Sequence, residues 1–291
     1  MKVAAAAYPL NFLDSWAQYE DKISMWVRQA AENGAQLLVF PEYGAMELAT
    51  LAGAEVAGDL EKSLFAVSDR LPEADALHAR LAAEFNVHIL AASAPEATQT
   101  RPVNRARLIT PQGGIGVQDK QIMTRFEREV WDVVPGGPLR LFDTALGKIG
   151  VLICYDAEFP LLGRALAEAD LILVPSCTEG LSGYWRVRIG AMARALENQC
   201  VTIMSSVIGV APWSEAVDIS TGAGGIFGPP DDGFPSSGVL AEGNIDWASW
   251  TYADVDLDAI ANVRRDGTVL NRTHWAEQDQ RIQSVTQQQL R

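Results

Sequence analysis

An α/β fold is predicted for this chain by two observations. Strand-like runs alternate with amphipathic helix-like runs over most of its length. Several of the strands are continuously apolar, as strands covered on both faces are. No Pro/Ser-rich linker interrupts the pattern and no repeat is evident, so one α/β domain over residues 1–260 is expected, followed by an extension over 261–291.

Val3–Tyr8 reads as the first strand. Asp14 can cap a helix that runs to Asn33, where Gly34 stops it. Gln36–Pro41 is a buried strand through Leu37, Leu38, Val39 and Phe40. A helix over Pro72–Phe85 precedes a strand over Val87–Ser93, and Ala106–Thr110 and Gly116–Lys120 fit two more strands. Gln121–Pro138 mixes Pro, Gly and charge, and reads as a long structured loop. Lys148–Tyr155, Asp170–Pro175 and Cys200–Ser206 are strands separated by helices over Glu158–Ala169 and Trp185–Asn198. Ile219–Gly243 suggests hairpins, Trp250–Val255 a last strand, and Ser284–Arg291 a tail.

Composition excludes whole classes of function. The net charge is −14 and no Lys/Arg-rich run occurs, so phosphate backbones and anionic lipid are repelled; neither nucleic acid nor a membrane is an expected partner. No apolar run approaches the ~20 residues that span a bilayer. Met1–Leu13 is too short and weakly apolar for a secretory signal, and Cys154, Cys177 and Cys200 form an odd set without C-x-x-C spacing; a cytoplasmic protein with free thiols is expected. Phosphate-loop, nucleophile-elbow and zinc-protease motifs are absent. His78, His88 and His274 are the only histidines, and the first two fall inside a helix and a strand, where structural roles fit better than a Cys–His pair.

What remains is a set of reactive residues at strand ends, where ligands sit in α/β folds. Glu42 follows one strand, Lys120 a second, and Cys154 ends a third. A cysteine on an apolar strand is usually a small buried hydrophobe. Lys120 is more telling, because a perturbed lysine can enter proton-linked chemistry where arginine cannot.

At these positions the chain resembles the nitrilase superfamily of carbon-nitrogen hydrolases. The likeness is carried by LLVFPEY around Glu42, DKQIM around Lys120 and GVLICYDAEFPLLGRAL around Cys154, and continues through DLILVPS (170–176) and ARALENQ (193–199). It implies a four-layer α-β-β-α sandwich, homodimers or higher homo-oligomers, a Glu42-Lys120-Cys154 triad, and no metal or organic cofactor. Where members often carry His two residues after the lysine stands Ile122, and where a Glu often follows Phe-Pro stands Leu161. These departures leave the substrate open.

The resemblance implies a hydrolase that cleaves the C–N bond of a small linear amide or N-carbamoyl compound through a cysteine thioester. Cys154-Tyr155-Asp156 is similar to the amidase and carbamoylase branches rather than to nitrilases acting on C≡N, which more often read Cys-Trp-Glu. A nitrilase and a thioester-using acyltransferase are the alternatives. Cys154 is the expected nucleophile, Glu42 its base, and Lys120 with the backbone N–H of Tyr155 the oxyanion stabilisers. A second Glu is implied beside Lys120. Glu129 and Glu127 compete for it; on an extended loop they point in opposite directions, and the seven-residue distance to Gly136 with apolar Val130-Trp131 behind favours Glu129. Tyr43, Tyr155, Cys177 and Thr178 are the expected pocket residues. Glu179, Tyr184 and Arg188 could form a polar rim in which Arg188 holds a substrate carboxylate.

Overall fold

The computed structural model describes residues 1–290. The first half of the chain contains β1 (Lys2–Pro9), α1 (Trp16–Glu32), β2 (Leu37–Val39), α2 (Ala54–Gly58), α3 (Leu60–Phe85), β3 (His88–Glu96), β4 (Val103–Ile109), β5 (Ile115–Asp119) and β6 (Leu141–Thr144). There follow β7 (Gly147–Val151), α4 (Pro160–Ala165), β8 (Leu171–Ser176), α5 (Leu181–Asn198), β9 (Val201–Val210), β10 (Ile219–Ser220), β11 (Gly225–Phe227), β12 (Val239–Glu242), β13 (Ser249–Asp254), α6 (Leu257–Asp266) and α7 (Asn271–His274). The strands join in the order β5-β4-β3-β2-β1-β9-β8-β7-β6, and β13 pairs antiparallel with β1.

Residue alternation on the central strands divides them between two cores. Ala4, Ala6, Leu38 and Phe40 turn to one side and meet Ile23, Trp26 and Val27 of α1 and Leu64, Val67 and Leu81 of α3. Val3, Ala5, Leu37 and Val39 turn the other way and share a core with Ile172, Val174 and Ile203 of β8 and β9 and with Val187, Ala191 and Ala195 of α5. The β1–β5 half and the β6–β9 half are therefore packed on each other and covered by helices outside, which is the expected α-β-β-α sandwich. No helix among the described residues is long and apolar enough to cross a membrane.

Several expected boundaries shift for local reasons. Ser15 rather than Asp14 caps α1, accepting from the Gln18 N–H. α3 begins twelve residues before Pro72 because the Asp59 carboxylate accepts from the N–H groups of Glu61 and Lys62, and Pro72 lies within the helix. The strand expected to reach Tyr155 stops at Val151, and Cys154–Glu158 forms a 3-10 turn that shortens the following helix to Pro160–Ala165. The break expected at residue 260 falls inside α6. There Ile260 enters the second core, Val263 is buried, and Gln199 Nε2 donates to the carbonyls of Val263 and Val269.

α5 clamps the 3-10 turn from outside. Arg194 Nη1 donates to the Ala157 carbonyl at 3.0 Å, and the backbone of Gly190 lies so near that an added Cβ would stand 2.7 Å from the same oxygen. Replacing Gly190 with Ala must push two backbones apart. Gly190→Ala is expected to cost about 1–3 kcal/mol, read as a lowered midpoint in thermal unfolding; an unchanged midpoint would show that the helix is free to slide.

Candidate active site

Glu42, Lys120 and Cys154 leave strands β2, β5 and β7 at the same end of the sandwich and meet in one cavity of about 700 Å³. All three are buried. Lys120 Nζ donates to Glu42 Oε1 at 2.7 Å and to Glu127 Oε2 at 2.6 Å, so one ammonium is held between two carboxylates. Asn104 Nδ2 on β4 donates to Glu42 Oε1 at 2.9 Å, and the Cys177 N–H at the end of β8 donates to Glu42 Oε2 at 3.0 Å. Residues on or directly after β2, β4, β5 and β8 thus join in one network.

The carboxylate opposite Glu42 is Glu127, and the expectation of Glu129 is corrected. Glu127–Trp131 is not extended but forms a single π-helical turn, which removes the alternation on which Glu129 was favoured. Glu127 and Trp131 face inward at the ends of that turn; Glu129 faces solvent and pairs with Arg125 at 2.7 Å. Glu127 is fixed by four further contacts. Tyr43 Oη donates to its Oε1 at 2.7 Å, the Thr124 N–H and Oγ1 both donate to its Oε2 at 2.8 Å, and its own N–H is directed at Thr124 Oγ1.

The electrostatics follow from burial competing with these partners. Burial disfavours the Lys120 ammonium, but Glu42 and Glu127 outweigh it and hold its pKa well above the usual lysine range. Burial also opposes the Glu127 carboxylate, yet Lys120 and the Thr124 and Tyr43 donors keep its pKa below the ordinary value. Glu42 goes the other way: burial, aided by the charge of Glu127, lifts its pKa despite Lys120. Cys154 is lifted well above a free thiol by burial and then by Glu42, with Lys120 opposing. Burial thus favours the protonated form at both Cys154 and Glu42, and the Cys154 thiol is directed at the Cys177 carbonyl at 3.8 Å.

Cys154 itself has φ +50°, in the left-handed region that a side chain adopts only when its surroundings impose it. Tyr43, directly after Glu42, has φ +53° and is anchored by its N–H to Ser93 Oγ at 3.1 Å. Asp156 ties the nucleophile turn to the lysine segment by accepting from the N–H groups of Gln121 and Ile122 at 2.9–3.2 Å. Burial raises its pKa to about 7. Tyr155 lines the cavity as the second residue of the 3-10 turn, where first-turn N–H groups have no acceptor within their own helix.

Of the expected pocket residues, Tyr43, Tyr155, Cys177 and Thr178 line the cavity, as does Glu179. Arg188 does not. Ser182, Gly183, Arg186 and Val187 form the stripe of α5 that faces the cavity, and Arg188 falls off it. It stacks over Trp185 and Phe227, reaches the Tyr184 hydroxyl at 3.2 Å and pairs with Glu242 on β12. Sequence reasoning missed Asn104, which stands between Val103 and Arg105 on β4 with no local signal to mark it. It also missed Arg186 and the wall made by Glu215–Ile219, a loop whose approach no local pattern announces.

The chain and its fold have counterparts among known proteins. The Carbon-nitrogen hydrolase family profile matches residues 2–265. A probable hydrolase of Bacillus subtilis is 33% identical over 275 residues, covering 92% of this chain and 52% of that protein, so the chain spans about half the length of that relative. An omega-amidase of Xenopus laevis is 25% identical over 256 residues, 84% of this chain and 85% of that one. Among solved structures, a variant of the amidase from Nesterenkonia sp. AN1, showing Michael addition of acrylamide at its active-site cysteine, superposes with a TM-score of 0.67 at 23% identity, over 97% of this chain and 99% of that chain. With a matching profile along nearly its whole length, this chain belongs to the carbon-nitrogen hydrolase family.

Proposed function

We propose that the protein hydrolyses the C–N bond of a small linear amide or N-carbamoyl compound through a thioester on Cys154. The observation that carries this reading is the Glu42–Lys120–Glu127 network closing on Cys154 in one buried cavity. As the substrate carbonyl approaches, the Cys154 sulfur attacks its carbon and the thiol proton passes to Glu42. Negative charge gathers on the carbonyl oxygen, where the Lys120 ammonium and the Tyr155 N–H stabilise it. Glu42 returns the proton to the departing nitrogen, and the C–N bond breaks to leave a thioester and ammonia or amine. Glu42 then takes a proton from water as its oxygen attacks the thioester, and the acid is released with the thiol restored. Asp156 after Tyr155 supports an amide over a nitrile.

Ammonia release from a panel of linear amides, N-carbamoyl amines and nitriles tests the reading. Amides or carbamoyl compounds are expected to turn over and Cys154→Ala to abolish it, with iodoacetamide labelling Cys154, which has Glu42 beside it as a base, ahead of Cys177, whose thiol is engaged with the Ser220 hydroxyl. Activity retained in Cys154→Ala but lost in Cys177→Ala would sink it.

Glu127→Gln is expected to lower kcat by about 10²–10³, because Lys120 loses one of the two anions that keep it charged. Glu129→Gln should stay within about twofold, as surface pairs contribute little. The pH profile separates the two further. Activity falls as pH drops through the Glu42 pKa, and that pKa lies above the ~4.3 of a free glutamate because of burial and Glu127. Removing the Glu127 charge therefore moves the acid limb to lower pH, and the Glu129 variant leaves it in place; equal effects of the two variants would contradict the assignment.

A pairing of two copies through α4 and α5 is supported by Leu161, Trp185 and Ile189, large apolar side chains that stand 74%, 45% and 64% exposed. Light scattering at micromolar concentration is expected to report twice 31.5 kDa or more. A species of single-chain mass alone would refute pairing.

A further inference from the structure

The cavity is much larger than an amide group, so its outer part must meet the rest of the substrate. That part is acidic. Beyond the catalytic carboxylates the wall carries Glu158, Glu179, Glu215 and Asp218, against a single cation, Arg186. Arg186 is committed to Glu158 at 3.4 Å. Glu179, Glu215 and Asp218 are exposed at the wall and have no ion-pair partner among the described residues. Arg188, the residue that could have held a substrate carboxylate, is turned away to Glu242. The same wall carries the rings of Phe126, Trp131 and Tyr155 with Val217. Aromatic faces attract a cation and suit a methylene chain, but offer nothing to an anion.

We infer that the preferred substrate is a linear amide or N-carbamoyl compound whose far end is a cation, such as a primary ammonium, held by Glu215, Asp218 and Glu179 while the scissile group sits at Cys154. This rests on the hydrolase reading for the scissile end; the carboxylates set only the charge of the other end. A cleft lined by one sign of charge concentrates the opposite sign and repels its own. An ω-amide ending in a carboxylate would have to bring that charge against three unpaired carboxylates.

Two measurements separate this inference from the reading it rests on. Ammonia release is compared for 5-aminopentanamide, hexanamide and glutaramate, which share a chain length and end in ammonium, methyl and carboxylate, and for their N-carbamoyl counterparts. The ammonium member is expected to have kcat/KM at least tenfold above the neutral one and at least a hundredfold above the carboxylate. Glu215→Gln with Asp218→Asn should shrink that advantage, mainly through KM; a neutral or anionic member leading the series overturns the inference with the hydrolase reading intact. The second measurement needs no turnover. Rates of Cys154 labelling by a cationic (2-aminoethyl) and an anionic (2-sulfonatoethyl) methanethiosulfonate, each relative to free cysteine, are expected to favour the cation at least tenfold and to converge in the double variant. Faster labelling by the anion overturns the inference even if no amide in the series is hydrolysed.

Discussion

A fully buried ammonium exists only where anions meet it, and the arrangement around Lys120 follows from that requirement. Removing an ion from water costs several kcal/mol, returned only by close, well-directed partners. Glu42 and Glu127 supply them at 2.7 and 2.6 Å. Each carboxylate must in turn be satisfied, and this recruits Asn104 and the Cys177 N–H on one side and Tyr43 and Thr124 on the other. The network therefore spans β2, β4, β5 and β8, and the register of the sheet half carrying β1–β5 is coupled to that carrying β6–β9. A residue selected for chemistry becomes a constraint on how the two sheets sit together.

The nucleophile imposes a second constraint of a different kind. Cys154 stands in a left-handed conformation, which costs about 1–3 kcal/mol and relaxes unless its surroundings forbid it. Three contacts forbid it. Arg194 and the bare backbone of Gly190 hold Ala157 from the α5 side, and Asp156 grips the Gln121 and Ile122 amides from the other. The same Asp156 links the Cys154 turn to the segment directly after Lys120, so Cys154 and the cation are positioned relative to each other by one short buried side chain gripping backbone amides.

Legibility from the sequence divides along the line between local and non-local causes. The strand end at Glu42 was readable because a buried strand is an apolar run that stops abruptly, and Cys154 because its segment continues such a run. Glu127 against Glu129 was not, since an isolated turn of π-helix has no sequence period, and the alternation assumed for a loop assigned the wrong face. Arg188 failed for a related reason: the helix was expected, but which stripe of it faces the cavity depends on rotation about its axis, set by Gly190 against Ala157. The wall at 215–219 was invisible because its position depends on β9 and β10 pairing some distance along the chain.

Glu42 and Glu127 are the same residue type sharing one lysine, yet their pKa values are displaced in opposite directions. The difference lies in what else each one accepts. Glu127 takes three further donor bonds, from the Tyr43 hydroxyl and two groups of Thr124, and these stabilise its charge beyond what burial removes. Glu42 takes two, from Asn104 and the Cys177 N–H, and bears the repulsion of Glu127 besides. A carboxylate with many donors is a poor base and a permanent anion; one with fewer donors, next to a second anion, accepts a proton readily. Pairs of titratable groups driven apart in this way are the mark of divided labour. Of the two carboxylates only Glu42 also meets the Cys154 thiol, so in the proposed reaction proton transfer falls to it, and Glu127 is the anion that keeps the lysine charged through each change of Glu42.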